Sequence, residues 1–248
     1  MGRKVRLDKL LVDRGLAPSR HRARELIEAE VVLVDGVPAT KSAAQVDTDR
    51  DVRLRDPDPG WVSRGALKLG PALAHFGVDP AGRVCADLGA STGGFSEVLL
   101  RAGAERIHAV DVGKGLLHER VAGDPRVVVH DGVNARHLEA LPEPVSLVVA
   151  DLAFISLTKV LPAVARILAP GGEAVVMVKP QFEVGAERLG AGGLVRSEAD
   201  RADAIAAVAS AAEALGFEVR GGVDAAVAGA RSGNVEHFLH LALLAVGR

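Results

Sequence analysis

Residues Cys85–Glu97 read CADLGASTGGFSE. An apolar lead-in ends on Asp87-Leu88, and Gly89, Gly93 and Gly94 follow at once. A strand that turns into a helix close against a ligand is written this way, because glycine accepts positive φ and presents no Cβ. The spacing is DxGxxxGG. The dinucleotide pattern GxGxxG uses its glycines to cradle a pyrophosphate; here Ala90, Ser91 and Thr92 fill the middle of the turn.

Downstream, strand and helix patterns alternate. RIHAVDVG (106–113), RVVVHDGV (126–133), VSLVVADLA (145–153) and EAVVMVKP (173–180) read as buried strands. GLLHERVAG (115–123), LTKVLPAVARILAPGG (157–172) and the alanine-rich 197–216 read as helices. Continuous apolar strands alternating with helices predict an α/β fold, a Rossmann-like, mostly parallel, doubly wound sheet. The last two strands, FEVRGGVDAAV (217–227) and EHFLHLALLA (236–245), have no helix between them. They predict a terminal hairpin that adds an antiparallel strand.

In such a sheet the ligand lies beyond the carboxyl ends of the strands. Asp87 ends the first strand, Asp111 the second and Asp131 the third. An acid at the end of the second strand accepts hydrogen bonds from ribose hydroxyls; one at the third stands where an adenine amino group is read. This succession fits S-adenosylmethionine, a nucleoside without pyrophosphate that carries a sulfonium and an amino-acid tail. The expected cofactor set is Asp87, Gly89, Ala90, Ser91, Thr92, Gly93, Gly94, Phe95, Asp111, Val112, Asp131, Gly132 and Asp151.

Upstream, DPDPG (Asp56–Gly60) cannot continue a helix or a central strand and marks a linker over 56–62. Residues 1–55 then form a small α+β domain, and 63–248 the catalytic one. RLDKLLVDRGL places Leu7, Leu10, Leu11 and Val12 at helical spacing. A second helix follows Ser19 as N-cap, with Leu26 and Ile27 inward. VVLVDGVPA predicts a hairpin turning on Asp35-Gly36, and DVRLR a further strand. The net charge of −2 conceals a division: residues 1–24 hold 8 Lys and Arg against 2 acids. Basic charge at one end points to a polyanion.

This N-terminal segment resembles the S-four domain, a small RNA-binding fold. The match lies in Ser19, Arg20, Ala23, Leu26, Ile27 and the Val-Asp-Gly turn. The resemblance implies that Arg20, Arg22 and Arg24 face RNA; Arg6, Lys9, Lys41 and Arg64 complete the expected basic set. Four further segments, WVSRGALKL (61–69), ADLAFISL (150–157), VMVKPQFE (176–183) and GNVEHFLHL (233–241), keep their order in one family. With the S-four domain they resemble the TlyA-type ribosomal RNA methyltransferases, which have an FtsJ/RrmJ-like catalytic domain and also carry the name hemolysin A. The chain departs from that family at Gly65-Ala66, usually two glycines, and in lacking a Ser-Pro-Ile before Gly-Asn-x-Glu.

The resemblance implies methylation of a cytidine ribose 2′-hydroxyl in ribosomal RNA, with ribosomal subunits as partners, and maps a catalytic tetrad onto Lys68, Asp151, Lys179 and Glu236. The chemistry asks for such a set. A ribose hydroxyl is a poor nucleophile, so it must be oriented, deprotonated and held in line with the donor methyl. Lysine titrates near ~10.4 and serves as a base only when lowered to about 7–8. Lys68 beside Lys179 would lower it, and the two acids oppose that. Lys179 is thus the expected base or hydroxyl-orienting residue. Phe154 stacks on adenine, stacks on the target base, or belongs to the core.

Two other functions compete: a membrane-acting cytolysin, and a non-catalytic RNA-binding assembly factor. The most apolar stretch, Phe238–Val246, is too short to span a bilayer. The basic N-terminus has no apolar run of a secretory signal, and Cys85 is the only cysteine, so no internal disulfide forms. The histidines show no metal-ligand spacing, and no metal is assigned. The expected location is the cytoplasm.

Overall fold

The computed structural model describes residues 3–17, 19–28, 32–54, 60–229 and 233–244, without the side chains of residues 21, 22, 25, 28 and 191. The chain divides into two compact units, Met1–Trp61 and Val62–Arg248.

In the N-terminal unit, α1 (Leu7–Asp13) buries Leu7, Leu10 and Leu11, and α2 (Arg20–Glu28) buries Leu26 and Ile27. Both stripes join one small core with Val32, Val46 and Val52. β2 (Val32–Val34) and β3 (Val37–Pro38) pair antiparallel across Asp35-Gly36, and both turn residues have positive φ, 51° and 81°. That is the two-residue hairpin turn whose twist matches the strands. β5 (Val52–Leu54) pairs on the other side of β2. A second ribbon, β1 (Lys4–Arg6) with β4 (Gln45–Asp47), has no counterpart in the sequence reading. Three-residue strands carry too little alternation to register. Residues 56–59 of the expected linker lie outside the described residues.

The larger unit holds a seven-stranded sheet. β6 (Val84–Leu88), β7 (Arg106–Asp111), β8 (Val127–Asp131), β9 (Val145–Ala150) and β10 (Leu168–Val178) run parallel in the order β10-β9-β6-β7-β8. The order reverses between β6 and β9, which puts the switch point beside the glycine turn. β11 (Phe217–Asp224) and β12 (His237–Leu243) pair antiparallel, as expected of a hairpin. However, β12 is inserted between β10 and β11 rather than left at the edge.

The helices are α3 (Ala66–Phe76), α4 (Gly94–Arg101), α5 (Glu119–Ala122), α6 (Leu161–Ile167), α7 (Pro180–Glu183) and α8 (Glu198–Ala214). Ser197 caps α8 by accepting from the Asp200 amide. α6 ends earlier than its pattern suggests. Leu168 already pairs with Val145, and residues 169–172 bulge opposite Ser146 before Glu173 resumes the ladder against Leu147. Pro170 cannot donate in a helix, and Gly171 adopts φ 75°.

Candidate active site

The glycine turn after β6 is shaped by contact with the end of β9. Gly89 has φ 85°, and a Cβ there would lie 2.5 Å from the Asp151 carbonyl oxygen. Gly93, at the N-cap of α4, has φ 94°. Between them Ser91 takes the left-handed conformation without being glycine, φ 47°. Such outliers gather where backbone is held for a ligand. The turn aims the Ser91 amide at Asp111 Oδ2, 2.8 Å away, while the Gly113 amide meets Oδ1 at 2.7 Å. The Asp111 carboxylate is thereby fixed at the mouth of a cleft of about 400 Å³. Val112, Asn134, Ala135 and Ile155 continue its wall.

Asp87 lies fully buried beneath the turn. Its Oδ2 accepts from Ser96 Oγ at 2.7 Å, and its Oδ1 has no partner among the described residues. Burial pushes this carboxyl up to about 7, and the charges of Asp151 and Asp111 add to the rise. Asp131 and Gly132 are exposed and line neither cleft described here; Asp131 instead accepts from the Gly115 amide at 2.8 Å. Val133 and Asn134, which follow the end of the strand, do line the first cleft.

A second cleft, of about 630 Å³, shares Gly89, Ser91, Asp151, Ala153 and Phe154 with the first. It draws in all four tetrad residues. They form two ion pairs. Lys68 Nζ meets Glu236 Oε2 at 2.6 Å, with side chains only 8% and 4% exposed. Lys179 Nζ meets Asp151 Oδ1 at 2.5 Å. Each lysine is therefore matched to an acid. The sheet explains the meeting. Lys179 follows β10 and Glu236 precedes β12, and Val178 is in register with His237. Running β12 backwards delivers its first end to the edge where the parallel strands finish.

Phe154 is 81% exposed with φ 63°, which removes it from the core. Its ring lies 5.4 Å from that of Phe182 on the α7 turn. Beyond this aromatic pair Glu183 accepts from Ser156 Oγ (2.6 Å) and the Leu157 amide (2.8 Å). The loops after β9 and β10 are thus tied twice, by Asp151–Lys179 and by Glu183. Burial raises the Glu183 carboxyl above its usual range. Asn234, also buried, accepts from the Val195 amide at 2.8 Å and donates to the Gly193 carbonyl at 2.9 Å. It holds the loop that leads into Glu236. Glu183 and Asn234 were absent from the sequence-derived site, although both stand inside the quoted motif segments. Arg64 lines the second cleft and donates to the Ala228 carbonyl.

In the N-terminal unit, Arg6, Arg20 and Arg24 converge on one carboxylate, that of Asp8. Lys9 pairs with Asp13 at 2.7 Å, Lys41 is exposed, and the side chain of Arg22 lies outside the described residues. Among the described residues no helix is long and apolar enough to cross a membrane, and no group of three His, Cys, Asp or Glu could hold a metal ion.

Residues 61–242 match the FtsJ-like methyltransferase family, and residues 5–52 match the S4 domain. The chain is 50% identical, over 97% of its length and 91% of the relative, to the 16S/23S rRNA (cytidine-2′-O)-methyltransferase TlyA of Mycobacterium tuberculosis. It is 33% identical to a protein named Hemolysin A from Brachyspira hyodysenteriae, over 95% of this chain and 99% of that one. A solved structure titled as a hemolysin, from Streptococcus thermophilus, superposes with a TM-score of 0.77 at 36% identity, covering 97% of this chain and 89% of that one.

Proposed function

The chain belongs to the FtsJ-like methyltransferase family, and from that premise we propose that it transfers a methyl group from S-adenosylmethionine to the ribose 2′-hydroxyl of a cytidine in ribosomal RNA. Residues 63–248 are the catalytic domain in this reading, 1–55 the RNA-binding domain and 56–62 the linker between them. The observation that carries it is the pair of lysine–carboxylate contacts opening on one cleft, beside a second cleft with a fixed acid at its mouth.

The residues present suit the cofactor. Asp111, held by two backbone amides, keeps lone pairs for ribose hydroxyls. The Gly89–Gly94 turn lets a ligand approach the backbone, and Asp87 Oδ1, without a partner among the described residues, leaves an acceptor beneath it. Val112, Asn134 and Ala135 offer a wall for the adenine. When bound, S-adenosylmethionine supplies a methyl group on a sulfonium, an electrophile that needs only an aligned nucleophile.

The chain provides that alignment. Lys179 donates to the ribose oxygen and holds it at the cleft shared with the cofactor wall. The 2.5 Å contact with Asp151 gives the lysine a route to pass on one of its own protons. The Lys179–Asp151 pair then takes up the hydroxyl proton as the nucleophile attacks. Lys68 and Glu236 fix the opposite wall. The exposed Phe154 stacks on the target base, which leaves the duplex to reach the cleft.

The test is transfer of labelled methyl from S-adenosylmethionine to purified ribosomal subunits and to naked ribosomal RNA. Label in one of these, lost in Lys179→Ala, is the expected result. Cofactor binding without label on any of them would overturn the reading and favour an RNA-binding assembly factor.

A further inference from the structure

Asp8 opens a helix, where an acid is ordinarily solvated, yet its side chain is fully buried. Three guanidinium groups close over it. Arg6 grips it as a fork, Nε to Oδ1 at 3.0 Å and Nη2 to Oδ2 at 2.9 Å. Arg20 Nη2 donates to Oδ2 at 2.9 Å, and Arg24 Nε lies 3.4 Å from the same oxygen. The three arginine side chains nevertheless remain 41%, 50% and 49% exposed. Each guanidinium has five N–H donors, and only one or two nitrogens of each face Asp8.

Like charges do not gather unaided. Three guanidinium groups around one point repel one another, and long side chains lose rotamer freedom on being held together. The buried carboxylate offsets both costs before any ligand arrives. It is also the link between the α1 start and two successive turns of α2. What remains on the surface is a set of outward N–H donors with excess positive charge, a form suited to phosphate oxygens.

We propose that Asp8 is a positioning residue, which holds Arg6, Arg20 and Arg24 as one pre-organised set for the phosphates of RNA. The inference rests on the RNA-binding reading of the N-terminal unit. It has a sign that simple charge counting reverses. Asp8→Asn makes this face more positive by one, so electrostatics alone would tighten RNA binding and steepen its salt dependence. Loss of the organising carboxylate weakens it.

The experiment measures binding of the full chain to naked ribosomal RNA by filter retention, between about 50 and 200 mM salt. Wild type, Asp8→Asn and Arg20→Lys are compared, with circular dichroism as the check on folding. The expected result is about tenfold weaker binding by Asp8→Asn, and several-fold weaker binding by Arg20→Lys, which keeps the charge and loses the planar guanidinium donors. Unchanged or tighter binding by folded Asp8→Asn overturns the proposal. If Asp8→Asn does not fold, Arg20→Lys decides, and wild-type affinity in that variant overturns it. Wild-type protein that binds no RNA removes the RNA-binding reading itself, a result distinct from a difference among variants.

Discussion

Lys68 and Glu236 stand 168 positions apart in the chain and meet at 2.6 Å inside the larger unit. Both side chains are more than nine-tenths buried. A buried ion pair is costly to break singly, because the remaining charge is left without a partner. We expect Lys68→Met and Glu236→Leu each to lower stability by about 3 kcal/mol in urea denaturation. The double variant should recover most of that loss while remaining inactive in methyl transfer. A double variant as unstable as the sum of the singles would contradict the pairing.

Lys179 is expected to act on the rate and not on cofactor affinity. Lys179→Ala should slow single-turnover transfer by about 10²–10⁴-fold, with S-adenosylmethionine affinity by calorimetry within about twofold. Lys179→Arg separates two roles. Arginine donates but does not give up its proton, so residual transfer above the alanine variant would mark orientation as the larger contribution, and none would mark proton uptake.

Gly89→Ala meets the backbone of Asp151 and must adopt φ 85°. Neither can relax without moving the β9 end. The expected loss is about 2–4 kcal/mol of stability, together with calorimetric binding of S-adenosylmethionine. A variant that binds the cofactor normally would show that the turn tolerates a wider approach.

Asp87 carries a pH signature. Its carboxyl titrates at about 7 in the fold, against about 3.9 in an unfolded chain. Between these values the folded state binds the extra proton, so this group lowers stability as pH rises from about 4 to 7 and adds no further change above. Asp87→Asn removes that slope. Urea midpoints from pH 5 to 8 should show wild type losing ground to the variant as pH rises. Parallel curves would rule out the raised value.

Glu183 ties the Phe154 loop to the Lys179 loop. Glu183→Ala should reduce transfer about tenfold through misplacement of the target nucleotide, with cofactor and RNA affinities unchanged. Glu183→Gln, which keeps an acceptor for the Leu157 amide, should restore most of the rate. Equal activity in the alanine variant would show that the Asp151–Lys179 contact suffices.

Much of this site could be read before the fold was known. The DxGxxxGG turn, Asp111 and the alternation of strands follow from local chemistry, and each is where its pattern puts it. Other features depend on partners distant in sequence. Nothing near Lys68 says that Glu236 will neutralise it, since the insertion of β12 beside β10 is a matter of strand order. The acid at the end of β8 was expected to stand where an adenine amino group is read, but two amides fix Asp111 at the cleft while Asp131 bonds to the Gly115 amide outside it. Nothing beside Asp8 in the sequence announces its burial, because two of the three arginines that close over it lie on another helix. Short ribbons and the bulge at 169–172 leave no periodic trace.

The reversed strand has a further consequence for biosynthesis. Of the four tetrad residues, Glu236 is the last to be made, and β12 must be inserted between two strands already translated. Until then β10 presents an open edge, and Lys68 lacks its carboxylate. A nascent chain can complete the glycine turn and the first five parallel strands without a working site. An enzyme read as acting on ribosomes thus stays inert through most of its own synthesis on one.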